Sequence, residues 1–575
     1  MESKWMLYTK RADFEKISAR FHISPVLARI IINRDIKEED FLLYLKSDLS
    51  LMHNAGSLYG VEDAYNEIMS EIKKGNKIRV VGDYDIDGVC SSYILVKSLK
   101  RFGANADVRI PDRIKDGYGI NDNIINEAAN DKISMIITCD NGIAAHSQME
   151  LAKKLGIKVI ITDHHEVYQE DGKDYLPVAD VVINPKRSEC KYPFKSICGA
   201  LVAYKLMEYM YERLYGKKMY DDSELSDLLE VAAIATIGDV MPLVDENRVL
   251  VKYGLKSLMN TKNLGLRALI KATGMEGKKI SAYSIGFVIG PCLNAGGRLE
   301  NALVALNMFM SESSDEANEY AMHLKELNDE RKDLTAMNVK VAVELAEREY
   351  VDDDILVIYL ENCHESIAGI IAGRVREALG KPTIILTDAF GEDGMIKGSG
   401  RSIESYNMFE ALYEVKDIFE KFGGHHMAAG MSLKKDRLDE FRKRLNENSK
   451  LTKEDFIQKI WIDVPLPFSY ISHDFVRELE KLEPYGNKNE KPKFARKGIK
   501  ILSKSILGKN KNVVKMVLED DGTRLDGIYF CDGEAFFEEL KGNNEIDIIY
   551  YPDINEYGGR ESLQVIITGY KIKNI

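Results

Sequence analysis

The sequence lacks the cysteine pairs that hold together small secreted domains and structural zinc sites. Its seven cysteines are scattered along 575 residues without a Cys-x-x-Cys pair, which argues against both a disulfide framework and a structural zinc site. No apolar run comes near the roughly 18 residues of a membrane span, and the first residues lack the apolar core of a signal peptide. We therefore expect a cytoplasmic protein with no membrane partner.

An excess of positive charge is also absent, since the net charge is −13. This net charge argues against a protein coated in nucleic acid, although a protein with a negative total can still have a local cationic groove. There is no internal repeat or low-complexity segment, and 45% hydrophobic with 30% charged residues is ordinary for a globular protein. At 575 residues the chain exceeds what one hydrophobic core usually serves, so we expect several domains.

Hydrophobic periodicity predicts the order of these domains. Helical patterns predict an N-terminal helical preface, and apolar runs that alternate with helical patterns then predict a parallel α/β sheet. The predicted strands are residues 78–81, 106–110, 135–138, 159–162 and 181–183. A long pattern without glycine or proline predicts a connecting helix before a second, smaller α/β domain, and short strands with turn signals predict a final small β-barrel. The predicted boundaries are 1–75, 76–312, 313–350, 351–450 and 451–575.

Three alternating aspartates follow the first of these strands. On a strand, Asp83, Asp85 and Asp87 would share a face, and their carboxylates would repel one another unless cations lay between them. Gly88 would permit a sharp turn, and the serines at 91 and 92 would cap the next helix. The alternative is a solvated acidic turn.

Further acids and imidazoles follow two later strands of the predicted sheet. Asp140 comes after the strand at 135–138, and Asp163, His164 and His165 come after the strand at 159–162. Ligands of parallel sheets gather at the carboxyl ends of strands, so one crevice can collect all of them. Mixed carboxylates and imidazoles suit a pair of Mn²⁺ or Mg²⁺ ions. Asp239 interrupts an apolar stretch and needs a partner, as a metal ligand or as a helix cap.

Two glycine-rich stretches in the second α/β domain predict phosphate-binding turns, at residues 398–401 and 423–425. The alternative is two tight turns without a ligand. Residues 491–515 carry nine Lys or Arg residues and no acid, which with the barrel pattern is similar to an oligonucleotide-binding fold that tracks a single strand. Phe494 would offer a stacking face there; the alternative is a solvated loop with core aromatics.

The motifs around Asp85, Asp140, His164 and Asp239, in this order, resemble the DHH phosphoesterase superfamily. Those at 111–119, 290–299, 397–402 and 422–430 narrow the resemblance to the RecJ family of single-strand-specific exonucleases. The resemblance covers the whole chain. It implies that 76–312 is a DHH catalytic domain, 351–450 a DHHA1 domain and 451–575 an OB-like single-strand-binding domain.

The resemblance also implies residue roles. Asp85 and Asp140 would hold one metal ion, and Asp87, Asp140, His164 and Asp239 the other. Asp83 or water would complete the first site, because Val81 stands where many members have histidine. His165 would face the scissile phosphate and Asp163 would orient a histidine. Cys292 replaces an arginine common in the family, so part of the phosphate contact would be either lost or supplied by Arg298. The implied substrate-binding residues are Arg113, Tyr118, Arg298, Arg374, Ser399, Arg401, Gly424 and His425.

The implied activity is hydrolysis of single-stranded DNA to mononucleotides in the 5′ to 3′ direction, with two Mn²⁺ or Mg²⁺ ions, in DNA repair and recombination. The implied state is a monomer that works with a RecQ-type helicase and a single-strand-binding protein. One alternative is an oligoribonucleotide or nucleotide phosphatase of the superfamily, which typically lacks the third domain. The other is a non-catalytic DNA-binding relative, which would have lost metal ligands that this chain keeps.

Overall fold

The computed structural model describes residues 3–46 and 48–572, which form two compact units. The first unit contains His53–Met241 and Tyr253–Gln458, and the second contains Ser3–Met52, Pro242–Lys252 and the chain from Lys459 onward. The segment predicted as an N-terminal preface is therefore divided between the two units. Within the described residues, no helix has both the length and the apolar character that crossing a membrane requires.

The first unit begins with a five-stranded sheet in which every neighbouring pair is parallel, as predicted. In spatial order its strands are Asn105–Arg109, Lys77–Val81, Ile133–Cys139, Lys158–Thr162 and Val181–Ile183. Their apolar runs are continuous because helices cover both faces of a parallel sheet. The helices of this region are Val61–Lys73, Ile86–Arg101, Asp122–Asn130, His146–Lys154, Gly199–Tyr215 and Leu228–Gly238.

The strand order creates a crevice at one point of this sheet. Lys77–Val81 comes first in the chain, yet it lies between the second strand, Asn105–Arg109, and the third, Ile133–Cys139. The chain therefore continues on opposite sides of Lys77–Val81, which makes this strand a topological switch point. Ligands of open α/β sheets bind outside the carboxyl ends of the strands at such a point. The predicted acidic motifs follow Lys77–Val81 and Ile133–Cys139 directly.

Helices continue the first unit up to its second α/β region. They are Leu264–Ala272, Ala282–Ser284, Gly290–Leu299, Leu303–Met310 and Ser314–Glu349, with a π-helical turn at Ile285–Ile289. Ser314–Glu349 is the predicted connecting helix; its 36 residues span about 54 Å at 1.5 Å per residue. Glycine and proline are absent from it, so no residue breaks its backbone hydrogen bonds.

The second α/β region has a five-stranded mixed sheet. In spatial order the strands are Phe419–His425, Ala428–Lys434, Met395–Arg401, Thr383–Asp388 and Leu356–Tyr359, and only the last two are parallel. The helices of this region are Ala368–Leu379, Met408–Glu414 and Leu438–Glu447. This is the smaller α/β domain that the sequence predicts.

The second unit contains the predicted barrel. Its strands are Val464–Pro465, Phe494–Leu507, Val513–Asp520, Thr523–Phe530, Arg560–Ile572 and Glu545–Tyr557, and pairing of Phe494–Leu507 with Glu545–Tyr557 closes the sheet. The helices Phe14–Phe21, Pro25–Asn33, Phe41–Lys46, His473–Leu479 and Gly533–Leu540 belong to the same unit, as does a two-stranded sheet of Ser3–Leu7 and Gln458–Ile462. Leu27 and Phe41 share one hydrophobic core with Phe494 and Val565 of the barrel.

Arg248 holds the segment Pro242–Lys252 in this second unit. Its side chain is 1% exposed, and its guanidinium lies 3.9 Å from the ring centre of Tyr44. It donates hydrogen bonds to the backbone carbonyls of Tyr44, Lys481, Leu482 and Glu483 at 2.7–3.0 Å. Burial lowers the pKa of this guanidinium, so the four carbonyls supply the polar environment that water would otherwise give it.

We predict that Arg248→Met lowers the free energy of unfolding of the second unit by about 3 kcal/mol or more, because each buried acceptor left without a donor costs about 1–3 kcal/mol. The control is Arg524→Met in the barrel, where an arginine 67% exposed pairs with Glu519 at 2.9 Å; such surface pairs contribute about 1 kcal/mol at most. Denaturant unfolding of the full-length variants measures both. Equal losses would show that Arg248 does not stabilise this unit.

Candidate active site

The acidic segment after the first strand does not continue as a strand. The strand ends at Val81 and a helix begins at Ile86, with Asp85 as its N-cap. The Asp85 carboxylate accepts hydrogen bonds from the backbone N–H groups of Asp87 at 2.9 Å and Gly88 at 3.1 Å. The predicted alternation along a strand is therefore wrong, because an aspartate that accepts first-turn amides stabilises a helix start at this point.

Gly88 and the two serines also differ from the prediction. Gly88 lies in the first helical turn, and a Cβ there would clash with the backbone of Asp83. It therefore permits a close approach rather than a sharp turn. Ser91 and Ser92 are buried inside the helix, where the Ser92 hydroxyl donates to the carbonyl of Gly88 at 2.7 Å instead of capping.

Asp87 and Asp140 are both fixed by the start of helix Gly199–Tyr215. The Asp87 carboxylate accepts the N–H groups of Gly199 at 2.6 Å and Ala200 at 2.8 Å. Asp140 follows the strand Ile133–Cys139 with φ 59°, a left-handed conformation that aspartate tolerates better than most residues. A Cβ on Gly199 would lie 2.8 Å from the Cβ of Asp140, so glycine is required where this helix meets the site.

Asp163 organises the two histidines that follow it. One carboxylate oxygen accepts the N–H of Ile143 at 2.9 Å, and the other accepts the N–H of His164 at 2.7 Å and contacts His165 Nδ1 at 2.8 Å. This leaves His164 Nε2 directed at Asp140, 3.0 Å from its Oδ1. The geometry fits the predicted orienting role of Asp163, with His165 as the histidine whose side chain it binds.

Asp239 ends the helix Leu228–Gly238 and points toward His164. Its Oδ2 is buried without a hydrogen-bond partner and lies 3.7 Å from His164 Nε2. A carboxylate at a helix C-terminus is not stabilised by the helix dipole, so capping does not account for its position. An unsatisfied buried carboxylate oxygen fits a metal ligand.

These side chains form what we call the acidic cluster. Three triads in it bring one ligand atom from each member within 4.8 Å of the others. They are Asp83, Asp85 and Asp140; Asp87, His164 and Asp239; and Asp140, His164 and His165. The first two triads together offer five carboxylates and one imidazole, an oxygen-rich set that suits Mn²⁺ or Mg²⁺.

The electrostatics of the cluster also fit bound cations. Burial, then the charge of neighbouring carboxylates, raises the pKa of Asp83 to about 8, of Asp87 to about 6 and of Asp239 to about 8. The same causes raise the pKa of Asp140 well above its usual value. A divalent ion among these groups would offset the repulsion that disfavours their ionised forms.

His165 differs from its neighbour. Burial and the adjacent His165 lower the pKa of His164 to about 3, so His164 is a neutral imidazole. Burial acts in the same direction on His165, but the hydrogen bond and charge of Asp163 outweigh it and raise the pKa to about 9. His164 thus has the protonation state of a metal ligand, whereas the raised pKa of His165 favours its imidazolium form.

A cavity of about 600 Å³ lies beside the cluster, within the first unit. Five of the predicted substrate-binding residues line it: Arg113, Tyr118, Arg298, Ser399 and Arg401. The hydroxyl of Tyr118 donates to the backbone carbonyl of Asp140 at 3.0 Å and lies 3.3 Å from His165 Nε2. This tyrosine therefore joins the cavity to the acidic cluster. We call this space the cationic cavity.

The arginines of this cavity are held by neutral groups. Arg298 donates to the carbonyl of Ser366 at 2.8 Å, and Arg401 donates to the hydroxyl of Ser399 at 2.8 Å. Burial, then the charge of Arg113, lowers the pKa of Arg298 to about 10. Burial followed by a neighbouring arginine also lowers the pKa of Arg401. Buried guanidiniums that repel one another favour a bound anion.

Three predicted residues do not line the cavity. Arg374 has a side chain 62% exposed and faces Glu377 at 3.5 Å, and Gly424 and His425 are also outside the lining. Nor are the two glycine-rich stretches turns: both lie on strands that pair with Ala428–Lys434. Met395–Arg401 is an inner strand whose backbone groups pair on both sides, so its side chains are the better candidates for phosphate contacts. Phe419–His425 is an edge strand, and one row of its backbone groups lies outside the sheet pairing.

The sequence analysis missed Tyr84, Lys397 and Lys421, which also line the cavity. A period of two would have indicated Lys397, because it shares a strand face with Ser399 and Arg401. Tyr84 lies between two aspartates, and only the aspartates of that motif were interpreted as functional residues.

In the basic stretch of the barrel, the aromatic side chain is buried and several cations pair with acids of the same unit. Phe494 is fully buried in the core of the second unit, so the prediction of a stacking face is wrong and the alternative of a core aromatic holds. Arg496 pairs with Asp520 at 2.8 Å and Asp521 at 2.6 Å. Further partners of these basic residues are Glu490 for Lys493, Glu534 for Lys511 and Asp526 for Lys515.

Family comparisons place this fold and site in the DHH class of proteins. The DHH family N-terminal domain matches residues 77–236, the DHHA1 domain matches 352–450, and the RecJ OB domain matches 462–569. The acidic cluster lies in the first of these regions apart from Asp239, and the cationic cavity is lined by residues of the first two and of the helices between them.

Comparison with individual proteins identifies the family more narrowly. The single-stranded-DNA-specific exonuclease RecJ of Bacillus subtilis is 36% identical over 99% of this chain and 71% of its own length. The Escherichia coli protein of the same name is 32% identical over 95% of each. The chain belongs to the RecJ family.

Two solved structures agree with this assignment. RecJ from Thermus thermophilus in complex with Mn²⁺ superimposes with a TM-score of 0.84 at 25% identity, covering 100% of this chain and 80% of that one. An exonuclease RecJ bound to manganese has a TM-score of 0.60 at 29% identity, covering 71% of this chain and 98% of its own.

We predict that Gly199→Ala lowers the affinity for Mn²⁺ by about tenfold or more. The new methyl group must displace Asp140 and the amides that hold Asp87, and changes to groups that orient metal ligands typically cost about 10- to 100-fold. Isothermal titration with Mn²⁺ measures the change. The control is Gly286→Ala, where the nearest atom lies 3.8 Å away. If the two variants bind Mn²⁺ equally well, the close contact at Gly199 does not shape the site.

Proposed function

We propose that this chain is a metal-dependent exonuclease that hydrolyses single-stranded DNA to mononucleotides in the 5′ to 3′ direction, in DNA repair and recombination. The observation that carries the proposal is the position of the acidic cluster directly beside the cationic cavity, with Tyr118 contacting both. The similar proteins named single-stranded-DNA-specific exonuclease support the same substrate for this chain.

The acidic cluster would hold two Mn²⁺ or Mg²⁺ ions. We assign Asp83, Asp85 and Asp140 to one ion, and Asp87, His164 and Asp239 together with Asp140 to the other. When bound, such a pair supplies a hydroxide near neutral pH and stabilises negative charge on the attacked phosphate. No side chain has to act as nucleophile.

His165 is assigned to the scissile phosphate. Asp163 binds its Nδ1 side at 2.8 Å, which directs Nε2 toward Tyr118 and the cavity. In its doubly protonated form, which the charge of Asp163 favours, this imidazole would hold one proton on Nδ1 toward Asp163 and donate the other from Nε2 to a phosphate oxygen as negative charge develops there.

The cationic cavity would hold the end of the strand. Its volume of about 600 Å³ falls in the range of small-molecule sites, and Arg298 and Arg401 supply charge-assisted hydrogen bonds to phosphate oxygens. A terminal phosphate fixed next to the cluster would place a bond near the strand end over the metals, which favours exonuclease over endonuclease cleavage.

The two alternatives have less support. The barrel matching the RecJ OB domain disfavours a phosphatase of the superfamily, and the intact acidic cluster disfavours a non-catalytic DNA-binding relative. The monomeric state, and the RecQ-type helicase and single-strand-binding protein as partners, stay predictions from the family resemblance. The cytoplasmic location stays a prediction from the sequence.

We predict that Asp140→Ala reduces turnover at saturating Mn²⁺ to less than about a hundredth of wild type, because loss of a carboxylate shared by both ions removes hydroxide generation and charge stabilisation together. Single-strand affinity should change much less, since the cationic cavity is intact. Turnover and equilibrium binding are measured separately. Asp122→Ala, an exposed aspartate that bonds Gln148 at 3.0 Å, is the control. Turnover of Asp140→Ala near that of the control would contradict the two-ion assignment.

We predict that Arg401→Ala raises KM roughly 10- to 100-fold with a smaller change in kcat, since a hydrogen bond to a charged group contributes about 1.5–3 kcal/mol and uniform binding appears in KM. Arg374 lies in the same α/β region but does not line the cavity, so Arg374→Ala should change KM and kcat by less than about twofold. Steady-state kinetics on a 5′-phosphorylated strand give the values. A collapsed kcat with unchanged KM would assign Arg401 to the chemical step instead.

A further inference from the structure

Two aromatic side chains stand exposed on the helical part of the first unit. Tyr283 is 68% exposed and Phe287 is 62% exposed. Their rings are stacked, with centroids 4.7 Å apart and planes 25° from parallel. Lys278, also exposed, precedes them in the chain. We call Tyr283 and Phe287 the aromatic pair.

The backbone that carries the aromatic pair is unusual. Phe287 lies in the π-helical turn Ile285–Ile289, which continues directly into the helix Gly290–Leu299. Single π-helical turns are rare and occur frequently at functional sites. Ile285 and Ile289 are buried on the other side of this turn, so the turn anchors its apolar face while Phe287 remains outside.

The same helix reaches both parts of the active site. Asn294 accepts the backbone N–H of Ile86 at 2.9 Å, beside the metal-site residue Asp85, and Arg298 lines the cationic cavity. A Cβ on Gly286, next to Phe287, would contact Ile237 at 3.8 Å, two residues before Asp239. The aromatic pair is therefore continuous with the site through one rigid element.

The spacing along this helix fits a nucleic-acid strand. Phe287 and Arg298 are eleven residues apart along continuous helical turns, which at the α-helical rise of 1.5 Å per residue is at most about 16 Å along the axis. A stacked strand rises about 3.4 Å per nucleotide. A strand whose end is held at Arg298 would thus reach the aromatic pair within about five nucleotides.

We propose that Tyr283 and Phe287 form a base-stacking platform for the single strand that leads into the active site. The proposal rests on the proposed exonuclease function and adds the residues that contact the strand outside the cavity. Exposed rings with a lysine nearby are the combination that binds unpaired bases and their phosphates. Paired bases in a duplex do not offer their faces, so the platform favours single strands.

The first test compares strand lengths. For the double variant Tyr283→Ala with Phe287→Ala, we expect KM on a 15-nucleotide strand to rise roughly 5- to 100-fold, the range for losing one stacked base. Hydrolysis of a dinucleotide, too short to reach the platform, should change less than about twofold. Phe287→Trp should retain the wild-type KM, whereas Phe287→Leu should not. The control is Phe390→Ala, with a phenylalanine 69% exposed in a loop of the second α/β region.

The second test removes bases instead of side chains. Strands with one abasic site at successive positions are hydrolysed by the wild type and by the double variant. We expect a wild-type KM that rises when the abasic site lies within about five nucleotides of the cleaved end, and a flat profile for the variant.

Profiles that coincide for the two proteins, or a KM on the long strand that matches the Phe390→Ala control, would overturn the platform while leaving the exonuclease function in place. Failure of the wild type to hydrolyse the dinucleotide and the long strand alike would overturn the proposed function and the platform with it.

Discussion

The repulsion among buried carboxylates at one edge of the first sheet is the constraint on which the rest of this structure depends. Asp83, Asp87 and Asp140 are each at most 2% exposed, and burial, followed by the charge of neighbouring carboxylates, raises the pKa of each. Groups of this kind are costly to bury without partners. The local fold therefore has to hold them in place and still leave oxygen lone pairs for cations.

Two helix starts meet this requirement. Asp85 caps the helix Ile86–Arg101, and Asp87 accepts the first amides of Gly199–Tyr215. The positive end of a helix dipole stabilises negative charge, so each helix offsets part of the repulsion. A carboxylate has about four acceptor positions; Asp87 uses two for amides and keeps the others. The same contacts that fix these side chains thus leave them able to bind metal.

The parts of this site that depend on chain topology could be predicted from the sequence. Asp140 and His164 follow apolar strands, and parallel strands bring their carboxyl ends to one edge whatever the details of the loops. The helix start at Ile86 could not be predicted, because an Asp-x-Asp-x-Asp spacing is compatible both with one face of a strand and with an aspartate N-cap. The local hydrogen bonds of Asp85 to the amides of Asp87 and Gly88 decide between the two, and they follow from the backbone conformation. Likewise, Gly398 indicated a turn, but a Cβ there would clash with the carbonyl of Ile385 in the neighbouring strand, so close packing within a sheet is the actual reason for glycine.

Arginines of the barrel and of the cationic cavity differ in whether the protein itself supplies a negative partner. Arg496, in the most basic stretch of the sequence, has its pKa raised by its hydrogen bond to Asp520, because the protein already supplies its anion. Arg298, in a stretch with no basic cluster, has its pKa lowered by burial and then by Arg113. A bound phosphate would add little to the first guanidinium and would relieve the repulsion on the second. The direction of the shift therefore separates an arginine that pairs with a carboxylate of the protein from one whose charged form is disfavoured by burial and neighbouring arginines.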